Sequence, residues 1–252
     1  MKSQIISKLE KIESENDITI LYACESGSRA WGFDNEDSDY DVRFIYKMNS
    51  LKDYLSLSQK SEVIDIMDGD FDAVGWDIKK ALLLHHKSNP NLREWIISPI
   101  KYIDFKIDVF EGLPDFDKAI LKFHYTNIAK NNWKRLSDEN LELTKRDIKM
   151  FMYNCRCILA WMVLDDGGNP SINIFDLLNQ AKDLDGNVKE NIMELIGFYK
   201  SNCQDNLDWS IIESVRQWMG DSLDVMGTDF PEKDNARSLG DYDKRFFDLA
   251  TL

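Results

Sequence analysis

The sequence predicts an α/β protein (α+β) in which a sheet-containing N-terminal part is followed by a helical part. Strand-like runs rich in β-branched and aromatic residues occupy residues 18–24 and 40–46, whereas helical periodicity dominates after Pro114. No internal repeat or low-complexity linker interrupts the chain. We therefore expect a first domain at residues 1–114 and a helical domain at residues 115–252.

Hydrophobic periodicity, turn residues and cap residues define the individual elements in chain order. An amphipathic helix is predicted at the N-terminus, and two further strands at 62–67 and 70–74 are joined at Asp68-Gly69. A helix follows over 77–86, and Pro90 begins the next one with Asn89 as its cap. The later helices are predicted at residues 116–136, 144–164, 175–181, 188–201 and 208–221. The last stretch, residues 227–252, is polar and acidic, and we expect it to be partly mobile.

Composition limits the function. With 252 residues and 43% hydrophobic content, the chain can bury a sizeable core. A net charge of −14 argues against an extended nucleic-acid surface but allows a local basic cleft. No apolar run approaches the roughly 18–20 residues that a membrane helix needs, and the N-terminus does not have the pattern of a signal sequence. We expect a cytoplasmic protein without a membrane partner.

The four cysteines favour structural thiols over a metal site. They are Cys24, Cys155, Cys157 and Cys203, and each lies in an apolar segment. Cys155 and Cys157 have no matching His or Cys pair at the spacing of zinc ligands. We therefore predict buried, free thiols.

The most informative residues lie between the first two strands. Gly27 allows positive φ and close backbone approach, and Ser28 adds a hydroxyl, so this turn is suited to bind a phosphate. In the next strand, alternation puts Asp39, Asp41 and Arg43 on one face. Two carboxylates about 7 Å apart on one strand repel each other, and a divalent cation between them relieves that repulsion. The alternative is a solvated edge strand with Arg43 as an ion-pair partner.

Gly27-Ser28 and Asp39-Tyr-Asp41 resemble the Gly-Ser and Asp-x-Asp signature of the DNA polymerase beta-like nucleotidyltransferase superfamily. The longer strings at residues 25–33 and 38–46 resemble one bacterial and phage family, the YcgL-type predicted nucleotidyltransferases, which is linked by name to RNA repair. Segments at 75–82, 87–90, 94–95, 98–100, 124–125 and 149–156 agree. The resemblance covers roughly residues 20–180.

This resemblance implies an N-terminal nucleotidyltransferase fold, a small mixed sheet flanked by helices, with a helical domain closing over the nucleotide. It also implies a third carboxylate from a neighbouring strand. We choose Asp72, because Phe71 and Ala73 alternate with it as core residues, and we keep Asp70 and Asp77 as rivals. Asp77 looks more like a helix-start residue. The expected metal ligands and catalytic residues are Asp39, Asp41 and Asp72, with Mg²⁺ or Mn²⁺ as cofactor.

The nucleotide is expected to contact residues from both parts of the chain. Lys149, Tyr153 and Arg156 form one stripe on the long helix at 144–164, and the family match favours a cleft-facing role over a solvated face. Trp31 is the best-placed tryptophan for stacking on a base, although packing is the commoner role. The predicted nucleotide-binding set is Gly27, Ser28, Arg29, Arg43, Lys149, Tyr153 and Arg156.

The resulting hypothesis is an enzyme that moves a nucleoside monophosphate from an NTP such as ATP to an acceptor hydroxyl. The acceptor is left open among an RNA end, a protein side chain and a small molecule such as an antibiotic. The alternative from another class is a nucleotide- or RNA-binding module without catalysis. Retention of Asp39, Asp41 and Asp72 favours the enzyme.

Overall fold

The computed structural model of the chain describes residues 1–58, 60–138, 144–201, 208–227, 231 and 237–252. The chain forms two compact units, and neither is continuous in sequence. The sheet unit comprises Met1–Ala30, Asp39–Phe116 and Lys233–Leu252, and the helical unit comprises Trp31–Ser38 and Asp117–Glu232.

The strands are β1 (Ile18–Glu25), β2 (Tyr40–Met48), β3 (Val63–Asp68), β4 (Phe71–Asp77) and β5 (Lys101–Ile103). Among the described residues, the helices are α1 (Lys2–Asn16), α2 (Gly27–Trp31), α3 (Leu51–Leu55), α4 (Ile78–His86), α5 (Pro90–Ile96), α6 (Lys118–Leu136), α7 (Lys145–Asp165), α8 (Ile174–Gln180), α9 (Gly186–Lys200), α10 (Trp209–Val225) and α11 (Leu239–Ala250). The predicted helices and strands are confirmed to within a few residues, while β5, α2, α3 and α11 were not predicted.

The sheet unit contains one five-stranded mixed sheet in the order β3-β4-β2-β1-β5. Strands β2 and β4 are parallel, and the other neighbouring pairs are antiparallel. The mixed sheet flanked by helices that the family resemblance implied is therefore confirmed. Its central parallel pair puts Asp41 of β2 directly opposite Asp72 of β4.

Helices cover both faces of the sheet. The apolar side of α1 packs against one face, where Leu9 is buried with Val42 and Phe44. On the other face, α4, α5 and α11 enclose a second core with Ile45. Gly75 is required in β4, because a Cβ there would lie 2.2 Å from the Phe44 ring. These two cores hold β2 and β4 in a fixed register.

Local capping explains where the central helices begin. The Asp77 carboxylate accepts a hydrogen bond from the Lys79 N–H at the start of α4. Asn89 accepts from the Leu92 N–H, and Pro90 stands in the first turn of α5, as predicted. Both helices therefore start where the sequence indicates.

The helical unit is organised by α6 and α7, which pack along each other. Thr144 and Asp147 form a reciprocal capping box at the start of α7. The Arg135 guanidinium in α6 lies 2.6 Å from the buried Asp147 carboxylate and holds the pKa of Asp147 down at about 2. This ion pair joins the end of α6 to the beginning of α7.

The C-terminal segment differs from the expectation of a mobile tail in the helical domain. Helix α11 belongs to the sheet unit and packs against α4, with Tyr242 and Leu249 buried. The Arg237 guanidinium donates hydrogen bonds to the Ser88 hydroxyl, the Tyr242 hydroxyl and three backbone carbonyls. Apolar anchors spaced along a polar helix, together with one arginine, explain how residues 237–252 pack within this unit. A domain boundary at residue 114 itself stays a prediction.

Three cysteines, Cys24, Cys155 and Cys157, are buried free thiols as predicted, and Cys203 lies outside the described residues. Burial raises the pKa of Cys24 to about 12, so this thiol stays protonated near neutral pH. None of the helices in the described part of the chain combines the length and apolar character that a membrane span requires.

Candidate active site

The turn between β1 and α2 is built around Gly27. Its φ of 57° lies in the left-handed region, and a Cβ at this position would lie 1.8 Å from Asp41 Oδ2. The Ser26 N–H donates to the Asp41 carbonyl and fixes the turn to β2. Ser28 follows and is 2% exposed. The predicted Gly-Ser turn therefore lies directly against the first carboxylate of the candidate site.

Asp41 and Asp72 stand directly opposite each other in the parallel β2–β4 pair. Both side chains lie on the same face of the sheet, because both reach the Arg43 guanidinium. Arg43 Nη2 lies 3.0 Å from Asp41 Oδ1 and 2.9 Å from Asp72 Oδ2. The two carboxylates and this arginine are only 16–25% exposed in their side chains. The structure thus brings together Asp41 and Arg43, which strand alternation put on one face, and Asp72, which was chosen as the third carboxylate that the family resemblance implies.

Asp39 lies one residue before β2 and is exposed. Its backbone carbonyl accepts a hydrogen bond from Arg29 Nε at 3.0 Å. The Arg29 guanidinium also lies over the Tyr40 ring, 4.0 Å from its centroid. The Arg29 side chain therefore contacts the residues at which β2 begins, and Asp39 is exposed at the edge of the site.

The two rivals of Asp72 occupy different surroundings. Asp70 is exposed at the start of β4 and lines a cavity of about 370 Å³ together with Tyr40 and Phe71. Asp77 is fully buried, caps α4, and accepts a hydrogen bond from the Tyr54 hydroxyl at 2.7 Å. Burial raises the pKa of Asp77 to about 6. Of these three carboxylates, Asp72 is the one that pairs with the Arg43 guanidinium, as Asp41 does.

Glu25 lies behind the site and bonds to its backbone. The sequence assigned it no role. It is fully buried, and its Oε1 accepts the Asp41 N–H at 2.8 Å. The other carboxylate oxygen accepts the Tyr102 hydroxyl of β5, and burial raises the pKa of Glu25. A charged residue at the end of an otherwise apolar strand was the available signal. Glu25 thereby fixes the backbone of the residue that carries the Asp41 carboxylate.

The predicted stripe on α7 lies in the helical unit. Lys149 is exposed, whereas Arg156 is 1% exposed. The Arg156 guanidinium lies 4.3 Å from the Trp31 ring centroid and 5.3 Å from that of Tyr153. Trp31 and Tyr153 also contact each other, with centroids 5.1 Å apart. The structure brings Trp31 and Tyr153 together around the buried Arg156 and leaves Lys149 exposed.

The donor chemistry at β2 and β4 suits a hard divalent cation. Mg²⁺ is commonly held by one or two carboxylates together with water and substrate phosphates. Asp41 and Asp72 provide such a pair. Because residue 27 is a glycine, no side chain from that position fills the space beside Asp41 Oδ2. Within the described ranges, no group of three or more His, Cys, Asp or Glu side chains is arranged as a complete metal site. The pair therefore fits a metal that arrives with further ligands.

Comparison with known proteins identifies the family. A sequence profile of the RNA repair pathway DNA polymerase beta family, RlaP, matches residues 1–246. The chain belongs to this family. Membership in RlaP confirms the resemblance that the Gly-Ser and Asp-x-Asp motifs predicted, and it extends the match from residues 20–180 to almost the entire chain.

One relative and one solved structure are similar to this RlaP chain over most of their length. The uncharacterized protein YcgL of Bacillus subtilis (strain 168) is 38% identical over 187 residues, which cover 71% of this chain and 70% of YcgL. The crystal structure of a nucleotidyltransferase-like protein from Exiguobacterium sibiricum 255-15 matches 87% of this chain and 74% of its own, with 11% identity and a TM-score of 0.38. By its family, the chain is DNA polymerase beta-like.

Proposed function

We propose that this RlaP chain is a metal-dependent enzyme that transfers a nucleoside monophosphate from an NTP to an acceptor hydroxyl. The observation that carries the proposal is the alignment of Asp41 with Asp72 across parallel strands, with Gly27 packed against Asp41. A pair of carboxylates on one rigid surface, beside a glycine turn, is the arrangement that phosphoryl transfer requires for metal and triphosphate.

Asp41 and Asp72 would hold the metal, with Asp39 joining from the edge of β2. When bound, Mg²⁺ or Mn²⁺ orients the triphosphate, neutralises charge on the leaving pyrophosphate and makes the attacking hydroxyl more acidic. The acceptor oxygen forms a bond to the α-phosphorus while the bond from that phosphorus to the β-phosphate oxygen breaks. Asp72 takes the proton of the acceptor hydroxyl, and pyrophosphate leaves.

Other residues contribute to binding in this proposal. Gly27 admits the phosphates close to the backbone, and the Ser28 hydroxyl donates to one of their oxygens. Contact of the exposed Lys149, a residue of the helical unit, with phosphate stays a prediction from the sequence. The Arg156 guanidinium is buried beside the Trp31 and Tyr153 rings, which supports a positioning role for it there, and contact of Arg156 and Tyr153 with the nucleotide stays a prediction.

The acceptor we propose is an RNA end, in keeping with the RNA repair pathway that the family's description names. With a net charge of −14, the protein is unsuited to an extended RNA surface, so we expect contact with only the last few nucleotides. Binding should then weaken with salt along a shallow slope, on the order of two to four phosphates. We place the reaction in the cytoplasm, which the free buried thiols support.

The test is incubation with each NTP labelled at the α-phosphate, together with Mg²⁺ or Mn²⁺ and a mixture of short RNAs, proteins and small alcohols. Label should move to an RNA end in the wild type and stay in the NTP in Asp41→Asn. Transfer to a protein or a small alcohol would contradict the RNA acceptor and leave the enzyme class intact. Absence of transfer to every acceptor, with tight NTP binding, would favour the non-catalytic module.

A further inference from the structure

Arg43 is held by four hydrogen bonds within the candidate site. Its Nη1 donates to the carbonyls of Val42 and Asp72 at 3.0 and 2.9 Å. Its Nη2 donates to the carboxylates of Asp41 and Asp72 at 3.0 and 2.9 Å. All four N–H groups of the two terminal nitrogens are thereby used. Arg43 can donate two hydrogen bonds to a phosphate only if it first breaks some of these four. This argues against its predicted role in nucleotide binding.

Because of this geometry, Arg43 competes with a divalent cation for the two carboxylates. Two carboxylates side by side on neighbouring strands repel each other, and a guanidinium between them offsets that repulsion. A divalent cation at the same pair would meet a fixed positive charge a few ångströms away, where limited solvent exposure weakens screening. Arg43 also engages only one oxygen of Asp72, and within the described part of the chain no hydrogen bond reaches the other oxygen of that carboxylate.

We propose that Arg43 is an intramolecular counter-cation that positions Asp41 and Asp72 and keeps metal binding weak until a triphosphate adds its own negative charge. The inference rests on the proposed function, in which these two carboxylates hold the metal. It predicts a preferred order, since a metal ion should bind poorly to the free protein and well together with the NTP. Arg43 is a positioning residue in this scheme and does not touch the reacting atoms.

The test compares Mn²⁺ binding to the nucleotide-free protein in the wild type, Arg43→Gln and Arg245→Gln. Glutamine removes the charge and keeps an amide donor. Arg245 is a matched control, because its side chain is 15% exposed against 16% for Arg43, donates to two backbone carbonyls and pairs with Glu111. Free Mn²⁺ is followed by its electron paramagnetic resonance signal. We expect Arg43→Gln to bind Mn²⁺ about tenfold more tightly than the wild type, and Arg245→Gln to bind like the wild type.

A second measurement keeps the test decisive if Arg43→Gln is less stable than the wild type or does not fold without metal. In EDTA, Arg43→Gln should melt below the wild type, and Mn²⁺ should restore its melting temperature more than it raises that of the wild type. If the variant is unfolded without metal, circular dichroism should show that Mn²⁺ refolds it. A variant that stays unfolded at every Mn²⁺ concentration would contradict the inference.

Equal or weaker Mn²⁺ binding by Arg43→Gln would overturn the counter-cation role, as would a lack of Mn²⁺ binding by both proteins. These measurements need neither nucleotide nor acceptor. Failure of the transfer assay would therefore count against the proposed function without deciding the role of Arg43, and the two results can be told apart.

Discussion

Gly27 and Asp41 are in such close contact that a single added carbon on Gly27 would overlap the carboxylate. Gly69 provides the comparison, because its φ of 60° matches the 57° of Gly27 while nothing lies within 4 Å of its missing Cβ. Gly69→Ala should cost about 1–2 kcal/mol of stability from left-handed backbone strain alone. Gly27→Ala should cost more and also displace Asp41, which urea unfolding and Mn²⁺ binding with NTP would measure. Equal costs in both variants would contradict this packing.

The role of Asp72 is separable from that of its neighbour Asp70. Asp72→Asn should lower the chemical step by several orders of magnitude while NTP binding persists, because Asp41 and the triphosphate still hold the metal. Asp70→Asn should change the rate little, since Asp70 lines a different cavity. Single-turnover kinetics with labelled NTP would measure both. The reverse ranking would move the role of base to Asp70.

Two arginines of the helical unit should respond in opposite ways to replacement by methionine. Among the described residues, the buried Nε and Nη2 atoms of Arg216 have no hydrogen-bond partner, so Arg216→Met should leave the melting temperature unchanged or raise it. Arg135→Met removes the partner of the buried Asp147 and should cost about 1–3 kcal/mol. Thermal and urea denaturation of both variants would test the pair. A marked loss of stability in Arg216→Met would reveal an interaction that the structure does not contain.

The buried Asp77 should give the protein a specific pH dependence of stability. Its pKa is raised to about 6 in the folded state, from 3.8, chiefly by burial. Between these values the folded state keeps a proton that the unfolded state releases, so stability falls as the pH rises from about 4 to 6. Asp77→Asn should remove up to roughly 3 kcal/mol of that fall and still cap α4. Urea unfolding of both proteins at pH 4, 5, 6 and 7 would show whether the slopes differ.

Sequence patterns predicted most of the elements, although β5, α2, α3 and α11 were not predicted, and the role of Asp72 stays a prediction. Strand alternation puts Asp41 and Arg43 on one face, and the turn at Asp68-Gly69 predicts the β3–β4 pair. Alternation does not give the register between β2 and β4, because that pairing depends on the two cores packed against the sheet. The sharing of one guanidinium by Asp41 and Asp72 follows from that register and was therefore not predictable.

Long-range packing also explains the other unpredicted features. Glu25 acquires its role from Tyr102, which lies 77 residues away on a three-residue strand. Arg156 sits at the helical spacing of a surface stripe, yet the Trp31 and Tyr153 rings enclose it. A periodic pattern identifies the side of a helix but not what covers that side.

The membership of α11 in the sheet unit has a consequence for synthesis of the protein. Tyr242 and Leu249 are part of the core that covers one face of the sheet, yet the ribosome adds them after the residues of the helical unit. Chains usually begin to fold from the N-terminal end while translation continues. The sheet unit must therefore wait, with one apolar face partly uncovered, until the last helix emerges. During that interval the nascent chain should be a substrate for chaperones, and ribosome profiling of chaperone-bound chains would show enrichment that ends once α11 has left the exit tunnel.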